Sequence, residues 1–311
     1  MEITSRPEPR SRPQPRSHFT YNRQKILTSF WFLLAPVGLL IVFNYLPAIN
    51  MFIYSFANWD GFGPITKFVG LKNYIDIFTK PEYFSVLWVS VYYLVGALVQ
   101  IALALYFATI LSFKVRLKNL FKGILFFPNL INGVAIGFTF LYFFQPDGVF
   151  DALVKLFGVS SNNMPLWLGD RHLINFSLVA VSIWRYMGLN FVMFMGAIQS
   201  IPSEIYEASE MDGANRWQQF LYIIMPGIKP ITALSMILAI KGALSVFEIP
   251  YIMTSGLNGS MTFVIQTVNT AFKFSKVGLA SAMAVVLLIF IVIVTWIQNA
   301  LLNEKESSAT L

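Results

Sequence analysis

The 311-residue chain has no cysteine. A thiol nucleophile, a disulfide framework and a cysteine metal site are thereby excluded. Histidine is nearly as scarce. His18 and His172 are the only two and lie far apart, so no histidine metal cluster is expected. Charge is short as well: charged residues make up 12% of the chain, about half the share found in soluble domains. No G-x-x-x-x-G-K-[ST] stretch occurs, so the chain has no phosphate loop for a nucleotide. No metal and no cofactor is expected on this chain.

What the chain has is apolar surface. Hydrophobic residues make up 56% of it, and several runs reach the ~20 residues that cross a bilayer as a helix. The expected fold class is an all-α polytopic membrane protein with six transmembrane helices. They cover about 29–54, 84–111, 121–144, 174–199, 231–254 and 277–301. Phe127-Pro128-Asn129 and Asn132-Gly133 punctuate the third and predict an irregular turn there. Residues 1–28 read as a disordered basic cytoplasmic tail, 29–302 as the transmembrane domain and 303–311 as a second cytoplasmic tail. The first apolar run is too long for a cleaved signal peptide and reads as a retained anchor.

The net charge of +7 does not point to nucleic acid, because the basic residues follow topology. Lys114, Arg116, Lys118 and Lys122 crowd one link without an acid, whereas 145–173 carries Asp147, Asp151 and Asp170 against Lys155 and Arg171. The positive-inside rule puts the first link and both termini in the cytoplasm. It puts 201–230 there too. No short repeat and no pair of inverted halves is visible.

Residues 201–230, IPSEIYEASEMDGANRWQQFLYIIMPGIKP, are too polar for lipid. Ser200 can cap a helix with Pro202 in its first turn, and Glu204 and Glu207 suit its positive start. Asp212-Gly213 reads as a sharp turn near Met211. A second short helix follows over Asn215–Ile224, with Trp217, Phe220 and Ile224 on one apolar face. Pro226 and Pro230 are expected to break it. Two short helices of this kind make a knob that fits a groove on a partner. A loop lying on the headgroups is the other reading, and the pattern alone leaves both open.

Glu207-Ala208-Ser209, Asp212-Gly213-Ala214, Phe220, Ile223, Pro226 and Pro230 together resemble the "EAA" coupling motif of binding-protein-dependent ABC importer permeases. Ser209 replaces the motif's second alanine and Met225 its usual leucine. Phe68-Val69-Gly70-Leu71-Lys72-Asn73-Tyr74 and the run opening the sixth helix, Gly278-Leu279-Ala280-Ser281-Ala282-Met283, are similar to the carbohydrate permeases, of maltose and glycerol-phosphate type. The resemblance implies a type I ABC importer transmembrane domain in the cell membrane of a prokaryote. It implies as partners a second, homologous permease chain, two ATPase subunits and an extracytoplasmic substrate-binding protein. ATP and Mg would sit on the ATPase partner, docked against Glu207, Ala208, Ser209, Asp212, Gly213, Ala214, Phe220 and Pro226. Glu207 would orient the knob by hydrogen bonding and Gly213 would permit its turn. The cargo would be a sugar or related polyol.

Charges inside spans are costly and face the bundle interior. Arg185, Lys241 and Glu248 are such charges. Lys241, Ser245 and Glu248 are spaced to share one helical face, and Glu248 could accept hydrogen bonds from sugar hydroxyls. An internal ion pair between Arg185 and Glu248 is the alternative. Trp184, Tyr186, Phe247 and Tyr251 are candidate stacking surfaces, although most aromatics of a membrane protein face lipid or its interfaces. In the resembled family the cavity lies on the helices flanking the coupling loop, which brings in Met187, Gly188, Asn190, Ser245, Phe247 and Glu248. Two readings of another class stand beside this one: a polytopic glycosyl or lipid transferase, and an ion-coupled secondary sugar transporter using Glu248 or Lys241.

Overall fold

A computed structural model of the chain describes residues 18–65, 67–112, 117–160 and 164–307. Of the tail expected at 1–28, residues 1–17 lie outside the described residues, as does the Lys114 and Arg116 end of the first basic link, while 18–28 are helical. The chain divides into two units, residues 1–53 and 54–311.

The described part of the first unit is helical. Helix α1 (His18–Leu40) passes through one π-turn (Ile41–Tyr45) into α2 (Leu46–Ser55). Pro36 sits within α1 without ending it. The π-turn lies directly before Pro47, which has no N–H to close an ordinary turn, and Leu46 N–H instead reaches back to the Ile41 carbonyl. Lys25–Ser55 is long and apolar enough to span a bilayer.

The second unit opens with a short antiparallel ribbon, β1 (Ala57–Asn58) and β2 (Lys67–Phe68), with Ala57 opposite Phe68. Helices α3 (Lys72–Thr79) and α4 (Pro81–Phe84) and a 3-10 turn (Ser85–Trp88) lead into α5 (Val89–Ser112). The buried Asn73 ties α3 to the ribbon by donating to the Ser55 and Ala57 carbonyls, both at 2.9 Å. The FVGLKNY run is thus a ribbon-to-helix corner. The second span covers Pro81–Ser112.

The third span is broken. Helices α6 (Lys118–Leu130) and α7 (Gly133–Phe143) meet at 96°. Pro128 stays inside α6, and the chain turns only after it, at Ile131, whose backbone is extended. Asn132 then caps α7 by accepting from Val134 N–H at 2.8 Å. Helix α8 (Val149–Leu156) follows, and the fourth span is the single helix α9 (Ile174–Gln199). Residues 201–227 carry α10 (Ser203–Met211), α11 (Arg216–Gln219), a π-turn (Phe220–Ile224) and α12 (Met225–Gly227).

The fifth span divides into α13 (Lys229–Leu244) and α14 (Glu248–Thr254). The sequence reads as one helix here, and the break has a clear cause. Pro250 has no N–H to offer the carbonyl of Val246 four residues earlier, so a continuous helix would orphan it. The chain unwinds over Ser245–Phe247, and the Thr262 hydroxyl donates to the Val246 carbonyl at 2.8 Å. Helix α15 (Phe263–Val268), a further π-turn (Asn269–Lys273) and α16 (Val277–Ser307) complete the chain.

Three buried clusters hold the second unit together. One joins α5, α7, α9 and the fifth span through Tyr93, Ile136, Leu178, Val181 and Ile249. A second runs from Ile101 and Ala104 through Phe191 and Phe194 to Ile224 and Ile228. The third packs α3, α15 and α16 around Ile77, Phe263 and Met283. Small residues on α5, Ala104 and Ala108, are fully buried and let helices approach closely, as packing inside a bilayer requires.

Candidate functional site

The two broken spans converge on one carboxylate. Glu248 opens α14, immediately after the unwound stretch, and its carboxylate lies against Gly133 at the start of α7. A Cβ at position 133 would collide with that carboxylate. Helix starts carry partial positive charge and favour an anion. From α9, Arg185 donates to Glu248 Oε2 at 2.6 Å. The guanidinium also stacks over the Tyr186 ring, 4.9 Å from its centre. The pair is lopsided: the Arg185 side chain is 11% exposed and the Glu248 side chain 39%.

That exposed side of Glu248 faces a cavity of about 430 Å³ between α5, α9 and the fifth span. Much of the wall is apolar, but Gln100 and Asn190 are buried polar side chains that line it. Among the described residues neither has a hydrogen-bond partner. Tyr93 also lines the cavity, and its buried hydroxyl is unpartnered. The unwound Ser245, Val246 and Phe247 contribute backbone and side chains, and Phe247 stacks on Tyr251 at 4.7 Å. A concave, mainly apolar site with a few convergent polar groups is the form of a small-molecule pocket.

Of the residues expected along the pathway, Asn190, Ser245, Phe247, Glu248 and Tyr186 line this cavity. Arg185 stands behind Glu248, so the expected ion pair forms while Glu248 also lines a cavity. Lys241 does not share the face of Glu248. The helix ends at Leu244, which cancels the spacing, and Lys241 lies exposed on α13 with its carbonyl accepting from the Ser245 hydroxyl. Met187 packs into the second cluster, and Gly188 is buried where α9 meets the Leu125 backbone of α6. Trp184 packs edge-on against Phe140 at 5.1 Å. Sequence reading missed Tyr93 and Gln100, which look like ordinary polar residues of an apolar span until α5 is seen beside α9.

The 201–227 knob differs from expectation in three ways. Ser200 ends α9 and does not cap α10, whose first flanking residue is Pro202. Glu207 is exposed and among the described residues has no hydrogen-bond or ion-pair partner. The orienting bond runs instead between Gln219, 1% exposed, and the Ser209 hydroxyl at 3.0 Å, and that hydroxyl donates onward to the Tyr206 carbonyl at 2.7 Å. Asn215 and Gln218 form a reciprocal capping box at the start of α11. Asp212 and Gly213 do make the turn, with Gly213 at φ +79°, a conformation that favours glycine.

The third difference concerns the prolines. The break expected at Pro226 and Pro230 falls between them, at Ile228, with Pro226 inside α12 and Pro230 in the first turn of α13. The π-turn sits directly before Pro226 and absorbs its missing donor, as at Pro47. Ile228 N–H bonds the Ile224 carbonyl and Thr232 N–H bonds the Ile228 carbonyl, both at 2.9 Å. The stretch from Arg216 to Leu244 is therefore two helical pieces, α11 to α12 and then α13, that meet at the non-helical Ile228 (φ −98°, ψ 4°). Within it Ile224 and Ile228 are fully buried, Phe220 is partly buried and Trp217 is exposed. Trp217 stacks on Phe220, ring centres 5.5 Å apart, and Phe220 packs in the second cluster with Ile224, so the three do lie along one face. Ala208, Asp212 and Pro226 are exposed and Ala214 is half-buried.

Residues 100–304 match the family described as binding-protein-dependent transport system inner membrane component. The chain belongs to this family. It is 32% identical over 274 residues to a probable ABC transporter permease protein, YurN, of Bacillus subtilis, covering 86% of this chain and 93% of that one. It is 32% identical over 264 residues to the arabinooligosaccharides transport system permease protein AraP of the same organism, covering 83% and 82%. In fold the permease superposes on a chain of a bacterial alginate ABC transporter, solved in complex with an alginate pentasaccharide-bound periplasmic protein. The TM-score is 0.79 at 17% identity, covering 92% of this chain and 96% of that one. The permease is a multi-pass membrane protein and a subunit of a binding-protein-dependent importer, with a type I importer transmembrane domain. The transferase and the ion-coupled carrier readings give way to it.

Proposed function

We propose that the permease passes a sugar or related polyol through the cavity between α5, α9 and the fifth span, by alternating access driven by ATP hydrolysis on separate subunits. The observation that carries this reading is the hydrogen-bonded path from α11 through the π-turn and α12 into α13, bridged at Ile228 by its N–H to the Ile224 carbonyl and by Thr232 N–H to the Ile228 carbonyl. It joins the knob at one end to the unwound, cavity-lining Ser245–Phe247 at the other. A push on the knob has a covalent and hydrogen-bonded route to the cavity wall. The names of the relatives, which include an arabinooligosaccharide permease and a multiple-sugar permease, support the carbohydrate cargo.

In this scheme the knob docks on an ATPase subunit in the cytoplasm, two such subunits serve this chain and a second, homologous permease, and a binding protein delivers cargo from outside. Glu207, exposed beside the turn, is free to meet the ATPase. Both termini lie in the cytoplasm of a prokaryotic cell. Affinity purification of the permease from native membranes tests the scheme. An ATPase chain that copurifies, and is lost from Glu207→Ala or Gly213→Val protein that still inserts, supports it. A permease that purifies alone and moves solute without ATP overturns it.

A further inference from the structure

Among the described residues lining the cavity, Glu248 is the only charged side chain. Its countercharge is out of reach. Arg185 lies behind the carboxylate, is 11% exposed and is covered on another side by Tyr186. The pair therefore meets the cavity as a dipole with its negative end forward. The other polar residues lining it are neutral: Gln100, Asn190, Tyr186, Ser182 and Ser245. The nearer end of a dipole sets the sign of the field over several ångströms of low-dielectric surround, and a wall with no opposing charge leaves that field uncancelled.

We infer that the cavity selects by charge, with Glu248 as the specificity-determining residue that turns away anionic solutes, so that its cargo is a neutral polyhydroxylated molecule and not a sugar phosphate or a uronate. This rests on the reading that the cavity carries the cargo. The carboxylate has two uses at once. One oxygen accepts from Arg185, and its cavity side accepts from ligand hydroxyls, which a neutral polyol supplies and a phosphate dianion does not. The unpartnered amides of Gln100 and Asn190 donate and accept in turn, matching hydroxyls that do both. Arg185 is a positioning residue, holding the carboxylate by its back.

The lack of cysteine makes the field directly measurable. Ser182→Cys on α9 and Ser245→Cys at the break place one thiol each on facing walls. Full-length permease in native membranes is treated with a cationic, trimethylammonium-bearing methanethiosulfonate or with its anionic, sulfonate-bearing counterpart. Each rate is divided by that of the same reagent with a free thiol in solution. The cationic reagent is expected to be favoured roughly tenfold at both positions, and the preference to fall to one or below in the Glu248→Gln background, where Arg185 is left uncompensated. A normalised ratio of one or less with Glu248 present overturns charge selection while leaving the cavity as a pathway. A preference that survives Glu248→Gln overturns the assignment to Glu248. Thiols that react with neither reagent overturn the aqueous pathway itself, and the inference with it.

Discussion

Removing either member of the Arg185–Glu248 pair leaves a charge behind, and the two leftovers differ. With Glu248→Leu, a guanidinium only 11% exposed loses its acceptor. An uncompensated buried charge costs about 3–5 kcal/mol. With Arg185→Leu, the carboxylate left behind is 39% exposed and sits at two helix starts, so the cost is smaller. Thermal unfolding in detergent should rank Glu248→Leu below Arg185→Leu, and the reverse order would mean that Arg185 has another acceptor. Gly133→Ala presses a methyl group onto the same carboxylate and should lower stability by about 1–3 kcal/mol, the usual cost of overpacking. Tyr206 makes the opposite case. Burial raises its pKa, and among the described residues its buried hydroxyl has no partner. A folded-state value above the unfolded one means that its contribution is complete below about pH 10 and is lost as pH rises through the raised value. Tyr206→Phe should leave stability unchanged or higher near neutral pH and remove that alkaline loss. A destabilised Phe variant at neutral pH would show that the hydroxyl has a partner.

At the scale of elements, the breaks carry the site, and they differ in how far the sequence reveals them. Asn132-Gly133 is a visible capping signal, so the bend between α6 and α7 was legible. The fifth span was not, because Pro250 lies well inside an apolar run and acts four residues upstream, where its missing donor orphans the Val246 carbonyl. Which hydroxyl takes up that carbonyl, Thr262, is a tertiary fact with no local signature. Pro250→Ala restores the donor and should let α13 and α14 join, turning Glu248 away from the cavity. Transport should fall well below wild type while membrane insertion persists, and full transport would show that the break is dispensable. In the knob, the composition of the turn was readable from Asp212-Gly213, but the choice of Gln219 and Ser209 as the tie was not. Gln219→Leu removes the donor to the half-buried Ser209 hydroxyl, which keeps its bond to the Tyr206 carbonyl, at about 0.5–1.5 kcal/mol. It should destabilise the knob, measured by thermal unfolding, more than Glu207→Gln does.

For the whole molecule, the six spans and their approximate bounds followed from run length alone, since lipid sets a minimum length that sequence must meet. How the spans neighbour one another did not follow. Helices α5 and α9 carry most of the cavity wall although a bent span and a loop separate them in sequence. The buried cluster from Ile101 through Phe194 to Ile224 and Ile228 binds that wall to the knob. Ile228→Ala empties a fully buried site in this joint and should cost about 2–5 kcal/mol. A second effect is expected in the reconstituted importer. ATP turnover should be preserved better than uptake, so that more ATP is spent per molecule moved. Equal loss of both would place the residue in general packing and not in transmission.

The wide turn at Phe220–Ile224 makes the knob and the cavity a problem of phase. A π-turn closes one revolution with one residue more than an α-turn, so it takes up that surplus and leaves everything after Met225 in phase. A single deletion between Phe220 and Ile224 would only tighten the turn. The same deletion within α13 has no wide turn to take it up: at about 100° per residue it would unscrew the wall, carrying the cavity face toward the lipid and the lipid face toward the cargo.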